Sequence, residues 1–89
     1  MSSIYVKCKV LPGIFDSEFY VLVRDSSVYV DRHNVRVHEA PKSGQEVDGE
    51  VLAYIVEEGK DKVLVQLTGE PVVGGLRTWV EREAIAVPA

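Results

Sequence analysis

The sequence predicts an all-β fold: a small barrel of about seven to eight short antiparallel strands, in two similar halves of one domain spanning residues 1–89. Three observations predict it. Apolar residues recur at every second position or in short runs bounded by turn residues, the pattern of half-buried and buried strands. No segment carries an apolar stripe at i, i+3, i+4 beyond one or two helical turns, so little or no α-helix is expected. The ending TWVEREAIAV (Thr78 to Val87) also follows the plan of VYVDRHNVRV (Val28 to Val37), fifty residues earlier.

The elements follow in order. Ile4, Val6, Cys8 and Val10 alternate with Tyr5, Lys7 and Lys9, which marks a half-buried strand, and Pro12-Gly13 breaks it. Phe19 to Arg24 (FYVLVR) runs to Asp25-Ser26-Ser27 and resumes at Val28 to Val30, a hairpin with antiparallel arms. Asp31 to Asn34 is polar, and Asp31 can bond the backbone two residues on before Val35 to Val37 resumes the alternation. EAPKSGQEVDG (Glu39 to Gly49) reads as an exposed connector between halves.

Glu50 to Val56 and Lys62 to Leu67 flank the polar loop Glu57 to Asp61, a second hairpin that sets Val51, Ala53 and Ile55 beside Val63, Val65 and Leu67. TGEPVVGG (Thr68 to Gly75) reads as a long loop, because Pro71 removes a ladder donor and Gly74-Gly75 permits positive φ. Leu76 to Val80 is then a strand, Glu81 to Ala84 a turn, and Ile85 to Val87 a last short strand.

Composition narrows the function classes. Hydrophobic residues make up 46% of the chain and charged ones 27%, enough apolar material for a packed interior. Cys8 is the one cysteine, so an intrachain disulfide and a cysteine-rich zinc site are excluded. The opening MSSIYVKCKV has no apolar run behind a basic start, and no run approaches the length of a membrane span, so a cytoplasmic protein without a membrane partner is expected. Net charge is -4, yet residues 1–42 hold six bases against five acids while residues 43–89 hold four against nine. That balance disfavours nonspecific nucleic-acid binding, which needs many cations on one face.

In the repeated ending, Tyr29 aligns with Trp79, Val30 with Val80, Asp31 with Glu81, Arg32 with Arg82, Val35 with Ile85 and Val37 with Val87. A strand, a polar turn opened by an acid-base pair, and a β-branched start to a new strand occur twice. Two such units stack into a common core when neither buries its apolar face alone. This arrangement resembles the C-terminal signature of Src-homology-3-like small barrels, in which a strand leads through one 3₁₀ turn into a closing strand. The resemblance covers about ten residues at each place and implies the fold; TWVEREAIAV lacks the paired tryptophan and the turn proline of the peptide-binding branch.

Few residues invite chemistry. Cys8 falls on the apolar face with Val6 and Val10, where a buried inert thiol is expected, and no nucleophile with its base or paired carboxylates can be placed. His33 and His38 lack a third ligand, so neither a metal site nor a cofactor is expected, and the protein reads as noncatalytic. Binding is the remaining class. Trp79 and Arg77, beside the Thr68 to Gly75 loop, form one candidate surface. Arg24, Arg32 and Arg36 with Tyr20 and Tyr29 form a second, basic and aromatic. The expected function is a protein-interaction or assembly module, with an unidentified protein partner or self-association through an exposed edge strand. The alternative is a nucleic-acid-binding small barrel that uses the Arg24, Arg32 and Arg36 surface.

Overall fold

The computed structural model describes residues 3–86, so the expected strand end at Val87, and its match with Val37, lie outside the described residues. Alternation does fix the first strand. β1 (Ser3–Pro12) turns Ile4, Val6, Cys8 and Val10 inward and Tyr5, Lys7, Lys9 and Leu11 outward. β2 (Glu18–Val23) and β3 (Ser26–Asp31) form the expected hairpin, but it turns at Arg24-Asp25, where Arg24 takes φ 54°, and Ser26 and Ser27 belong to β3.

A 3₁₀ turn, η1 (Arg32–Asn34), follows. The Asp31 carboxylate caps it by accepting the His33 backbone N–H at 2.9 Å, the local bond the sequence predicts for that aspartate. β4 (Val35–Val37) completes the first half. The second half repeats the order. β5 (Val47–Glu58) and β6 (Lys62–Leu67) make a hairpin that sets Ala53 opposite Leu67 and Ile55 opposite Val65. β7 (Glu70–Val73) and β8 (Arg77–Glu81) come next, then η2 (Arg82–Ala84) and β9 (Ile85–Ala86).

The nine strands lie in one curled antiparallel sheet, a small half-barrel, in the order β7-β3-β2-β1-β5-β6-β8. β4 and β9 stand off this path, and their pairing ties the halves together. β4 pairs with β5, so a strand of the first half closes on the second; β9 pairs with β1, so a strand of the second half closes on the first. The exchange is centred on one row of residues. Val6 pairs with Val51, Val35 pairs with Val51 on its other side, and Ile85 pairs with Val6. β1 and β5 are therefore the two equivalent central strands, each flanked partly by a hairpin neighbour and partly by the closing strand of the opposite half.

One hydrophobic cluster draws on both halves. Val6, Val10, Val21, Val28 and Val30 meet Val51, Val63, Val65 and Val80, all at or within 1% of full burial. Valine dominates because its β-branched side chain suits a pleated, buried surface, and each such burial is worth about 1.5–3 kcal/mol.

Two differences from the sequence reading have physical causes. β5 begins at Val47 rather than Glu50, because Val47 and Asp48 extend to pair with Val10 and Lys9. The Thr68 to Gly75 loop contains a strand, β7, which pairs with the edge of β3. Gly69 permits that approach: it sits at φ +98°, and a Cβ there would lie 2.2 Å from the Tyr29 carbonyl oxygen.

Candidate functional site

The repeated arginines have a shared local task. Arg82, opening η2, donates from Nη2 to the Gly59 carbonyl at 2.6 Å and from Nη1 to the Glu58 carboxylate at 3.4 Å, so it clasps the β5-β6 loop. Arg32, opening η1, donates from Nε to the Asp16 carbonyl in the β1-β2 loop, and its guanidinium lies 4.4 Å from the Phe19 ring centroid. Each half thus secures its first hairpin with the arginine that follows the acid ending β3 or β8. That is the physical content of the Asp31-Arg32 and Glu81-Arg82 match.

These contacts bear on the basic surface. Arg24 and Arg32 lie at opposite ends of the β2-β3 hairpin, roughly 20 Å apart at the rise of an extended chain. Arg24 meets Glu81 at 3.5 Å. Arg36, on β4, meets Glu50 directly opposite it at 2.7 Å and lies 3.7 Å from the Tyr5 ring centroid. Each of the three arginines is engaged by an acid or a loop carbonyl. Tyr20 and Tyr29 are brought together: they pair across β2 and β3 with ring centroids 5.0 Å apart.

Cys8 and His38 share the rim of a shallow pocket of about 590 Å³ with Lys7, Arg36, Asp48 and Glu50. Burial above all, then the charges of Glu50 and Asp48, pushes the Cys8 thiol up to about 12, the direction opposite to what a nucleophile requires. The native protein is therefore expected to resist iodoacetamide at mildly alkaline pH and to react at the rate of a free thiol in denaturant. Rapid native alkylation would show that β1 opens locally. Among the described residues no group of three His, Cys, Asp or Glu side chains is arranged to hold a metal, and no helix is long and apolar enough to cross a membrane.

The second candidate surface is built by β8. Trp79 is 40% exposed, faces outward opposite Leu64, and packs a ring edge against Gly59, where a Cβ would stand 3.2 Å away. Arg77 shares that face, and its Nε donates to Gln66 at 3.1 Å. The Tyr20–Tyr29 pair and the Leu64–Trp79 pair occupy matching positions in the two halves. The Thr68 to Gly75 loop beside this surface is engaged with β3 through β7.

Hydrogen-bond alternation shows which backbone groups of β8 face away from β6. Leu67 N–H donates to the Leu76 carbonyl at 2.7 Å, so Leu67 and Leu76 are a bonded pair. In antiparallel strands bonded and non-bonded pairs alternate, so Thr78 and Val80 bond to β6 while Arg77, Trp79 and Glu81 turn their backbone groups to the other side. The same logic applies to β3. Arg32 N–H donates to the Ser17 carbonyl at 3.0 Å, which makes Ser27, Tyr29 and Asp31 the outward residues there. β7 covers that edge, setting Glu70 opposite Tyr29 and Val73 opposite Ser27.

The equivalent edge of β8 has no strand along it among the described residues. The cause is loop length: the β6-β8 connection is long enough to hold β7, whereas the matching β2-β3 turn is only Arg24-Asp25. The sequence singles out Trp79 and Arg77 on this face, whereas Glu81, expected in a turn, ends β8. It also passed over Ile14 and Phe15, which stand 70% and 67% exposed at the tip of the β1-β2 loop. Two adjacent apolar residues directly after Pro12-Gly13 were the available signal. No family model, no curated protein and no solved structure matches this chain.

Proposed function

We propose that the protein is a noncatalytic protein-interaction or assembly module that acts by strand addition at β8. The observation that carries this reading is the contrast between two equivalent edges: β3 is covered by the chain's own β7, and β8 is left with outward backbone groups beside an exposed tryptophan. An added strand gains main-chain hydrogen bonds from the edge and side-chain contacts from the face carrying Arg77 and Trp79. Natural sheets blunt open edges with charge, proline or short length, so an edge that keeps a large aromatic at its centre is suited to a partner.

The architecture we assign is an Src-homology-3-like small barrel in duplicate. Each half runs through a three-stranded meander, a single 3₁₀ turn and a short closing strand, which is the support for that assignment. The closing strands depart from the single-barrel pattern by crossing to the opposite half. Each of the three arginines already meets an acid or a carbonyl, which favours a protein partner over nucleic acid.

Affinity capture with the wild type, Trp79→Lys and Arg77→Pro tests the proposal. The proline removes the outward guanidinium at the first residue of an edge strand, where the β6 ladder does not need the backbone donor. Both variants are expected to remain folded and to lose the interaction the wild type shows. Identical captured sets from all three proteins would refute the β8 edge as the interaction surface.

A further inference from the structure

We infer that the occupant of the β8 edge is a second copy of this chain, paired antiparallel through β8 about a two-fold axis at Trp79. The inference rests on the proposed use of this edge and names its partner. It follows from the order of side chains on the outward positions. Arg77, Trp79 and Glu81 alternate along one face, a cation and an anion placed symmetrically about the aromatic.

Antiparallel pairing centred on Trp79 sets each Arg77 opposite Glu81 of the second copy, and the two tryptophans opposite each other. Opposite charges directly across a ladder attract, and aromatic pairs add to the strand contact. Backbone groups agree with this register, because Arg77, Trp79 and Glu81 are the residues whose N–H and C=O turn away from β6.

The hydrogen bonds can be assigned. The two Trp79 residues exchange a reciprocal pair. Glu81 N–H donates to the Arg77 carbonyl of the second copy, and the same bond forms again across the axis. The Glu81 carbonyl takes no part, since it sits at the N-cap of η2 and accepts that turn's first bond. Moving the axis to Thr78 would set Arg77 opposite Trp79 and strand Glu81 beyond the overlap. An axis at Val80 would set Trp79 opposite Glu81 and strand Arg77. Only the axis at Trp79 uses all three outward residues on both strands and pairs every charge with its opposite.

Within one chain the charges are loosely held: Glu81 lies 3.5 Å from Arg24 and 3.9 Å from Lys62, with its side chain 43% exposed. The sheet would run unbroken through the pair, β6-β8-β8-β6. A contact of five residues per strand is small, so the dimer is of the weak, concentration-dependent kind.

Charge reversal tests both the partner and the register. Sedimentation equilibrium over a wide concentration range is expected to show a monomer–dimer equilibrium for the wild type. Arg77→Glu and Glu81→Arg should each weaken it by at least about tenfold, because each puts two like-charged pairs across the axis. Mixing the two single variants should restore association as a heterodimer, since every charge then meets its opposite again, and the double variant R77E/E81R should pair with itself like the wild type. Both positions are solvent-facing, so melting temperatures should stay within a few degrees of the wild type and folding failure is separately visible.

A wild type that stays monomeric throughout, or single variants that associate as well as the wild type, would overturn the inference. So would a mixture no tighter than its parts. A monomeric wild type whose captured protein partner is lost on Trp79→Lys would retain the strand-addition reading while rejecting self-pairing; capture insensitive to Trp79→Lys would reject the reading itself.

Discussion

A polypeptide of residues 1–42 and one of residues 47–89 are each expected to be unfolded alone and to fold together when mixed. Each half lacks the strand that closes it. In the first fragment β1 loses β5 from one side and β9 from the other, leaving Ile4, Val6 and Cys8 on an uncovered face. In the second, β5 loses β1 and β4, exposing Val51 and Ala53. Exposing two or three such side chains at about 1.5–3 kcal/mol each removes a large share of the roughly 5–15 kcal/mol a whole domain has in total. Chains of this length also sit near the limit below which an unstapled core fails.

Mixing restores both exchanged strands at once. Far-ultraviolet circular dichroism and size exclusion should therefore show a one-to-one complex with a cooperative melt. Cooperative unfolding of either fragment alone would mean that the shared cluster is not the unit of stability.

Substitution of Gly69 by alanine is expected to be the most damaging single change outside the core, costing about 3–5 kcal/mol and lowering the melting temperature by roughly 15–30 °C. Two penalties coincide there. The backbone has φ +98°, which side chains rarely adopt, and the added Cβ would lie 2.2 Å from the Tyr29 carbonyl oxygen, a backbone atom on the edge of β3 that β7 covers. Relief requires β7 to leave β3.

Gly75 is the control. It has a similar φ of +74° but nothing within 4 Å of its Cβ position, so Gly75→Ala should cost only the conformational strain, about 1 kcal/mol. Thermal melts of the two variants decide the matter: equal losses would show that β7 is not held against β3. A secondary effect follows from the same geometry, since Gly69→Ala should free the β3 edge and make the protein prone to aggregate through it.

The strands of the central path were legible because each has one buried face. Alternation at Ile4 to Val10 and the valine-rich runs around Val21, Val30, Val51 and Val65 report burial directly. The repeated 3₁₀ turns were legible because Asp31-Arg32 and Glu81-Arg82 stand at matching places after an aromatic and a valine. β7 was not legible. All four of its residues are exposed, it is bonded along one side, and it contains Pro71 between glycines, so it has the composition of a loop and becomes a strand only through β3.

The exchange of β4 and β9 was hidden for a different reason: local pattern shows that a strand exists, and its partner depends on contacts remote in sequence. The site was half legible. Trp79 and Arg77 stood out by residue type, but which β8 backbone groups are unpaired depends on which side faces β6. Arg24, Arg32 and Arg36 stood out by charge alone. They are close in sequence and share a charge, and the partner each one meets, an acid or a carbonyl, depends on contacts remote in sequence.

The central pairing of β1 with β5 also sets the pace at which the chain reaches its native state. It joins residues as distant as Ser3 and Tyr54 and aligns eight successive partners. Closing a loop of that size costs entropy before any contact rewards it, and neither hairpin has a covered face until the closure happens. Refolding thus belongs to the millisecond-to-second range of sheet proteins dominated by non-local contacts, with the docking of the two hairpins as its slow step. Mutations along the Val6–Val51 row should retard that step, whereas changes in β7 or at the β8 edge should act mainly by hastening unfolding.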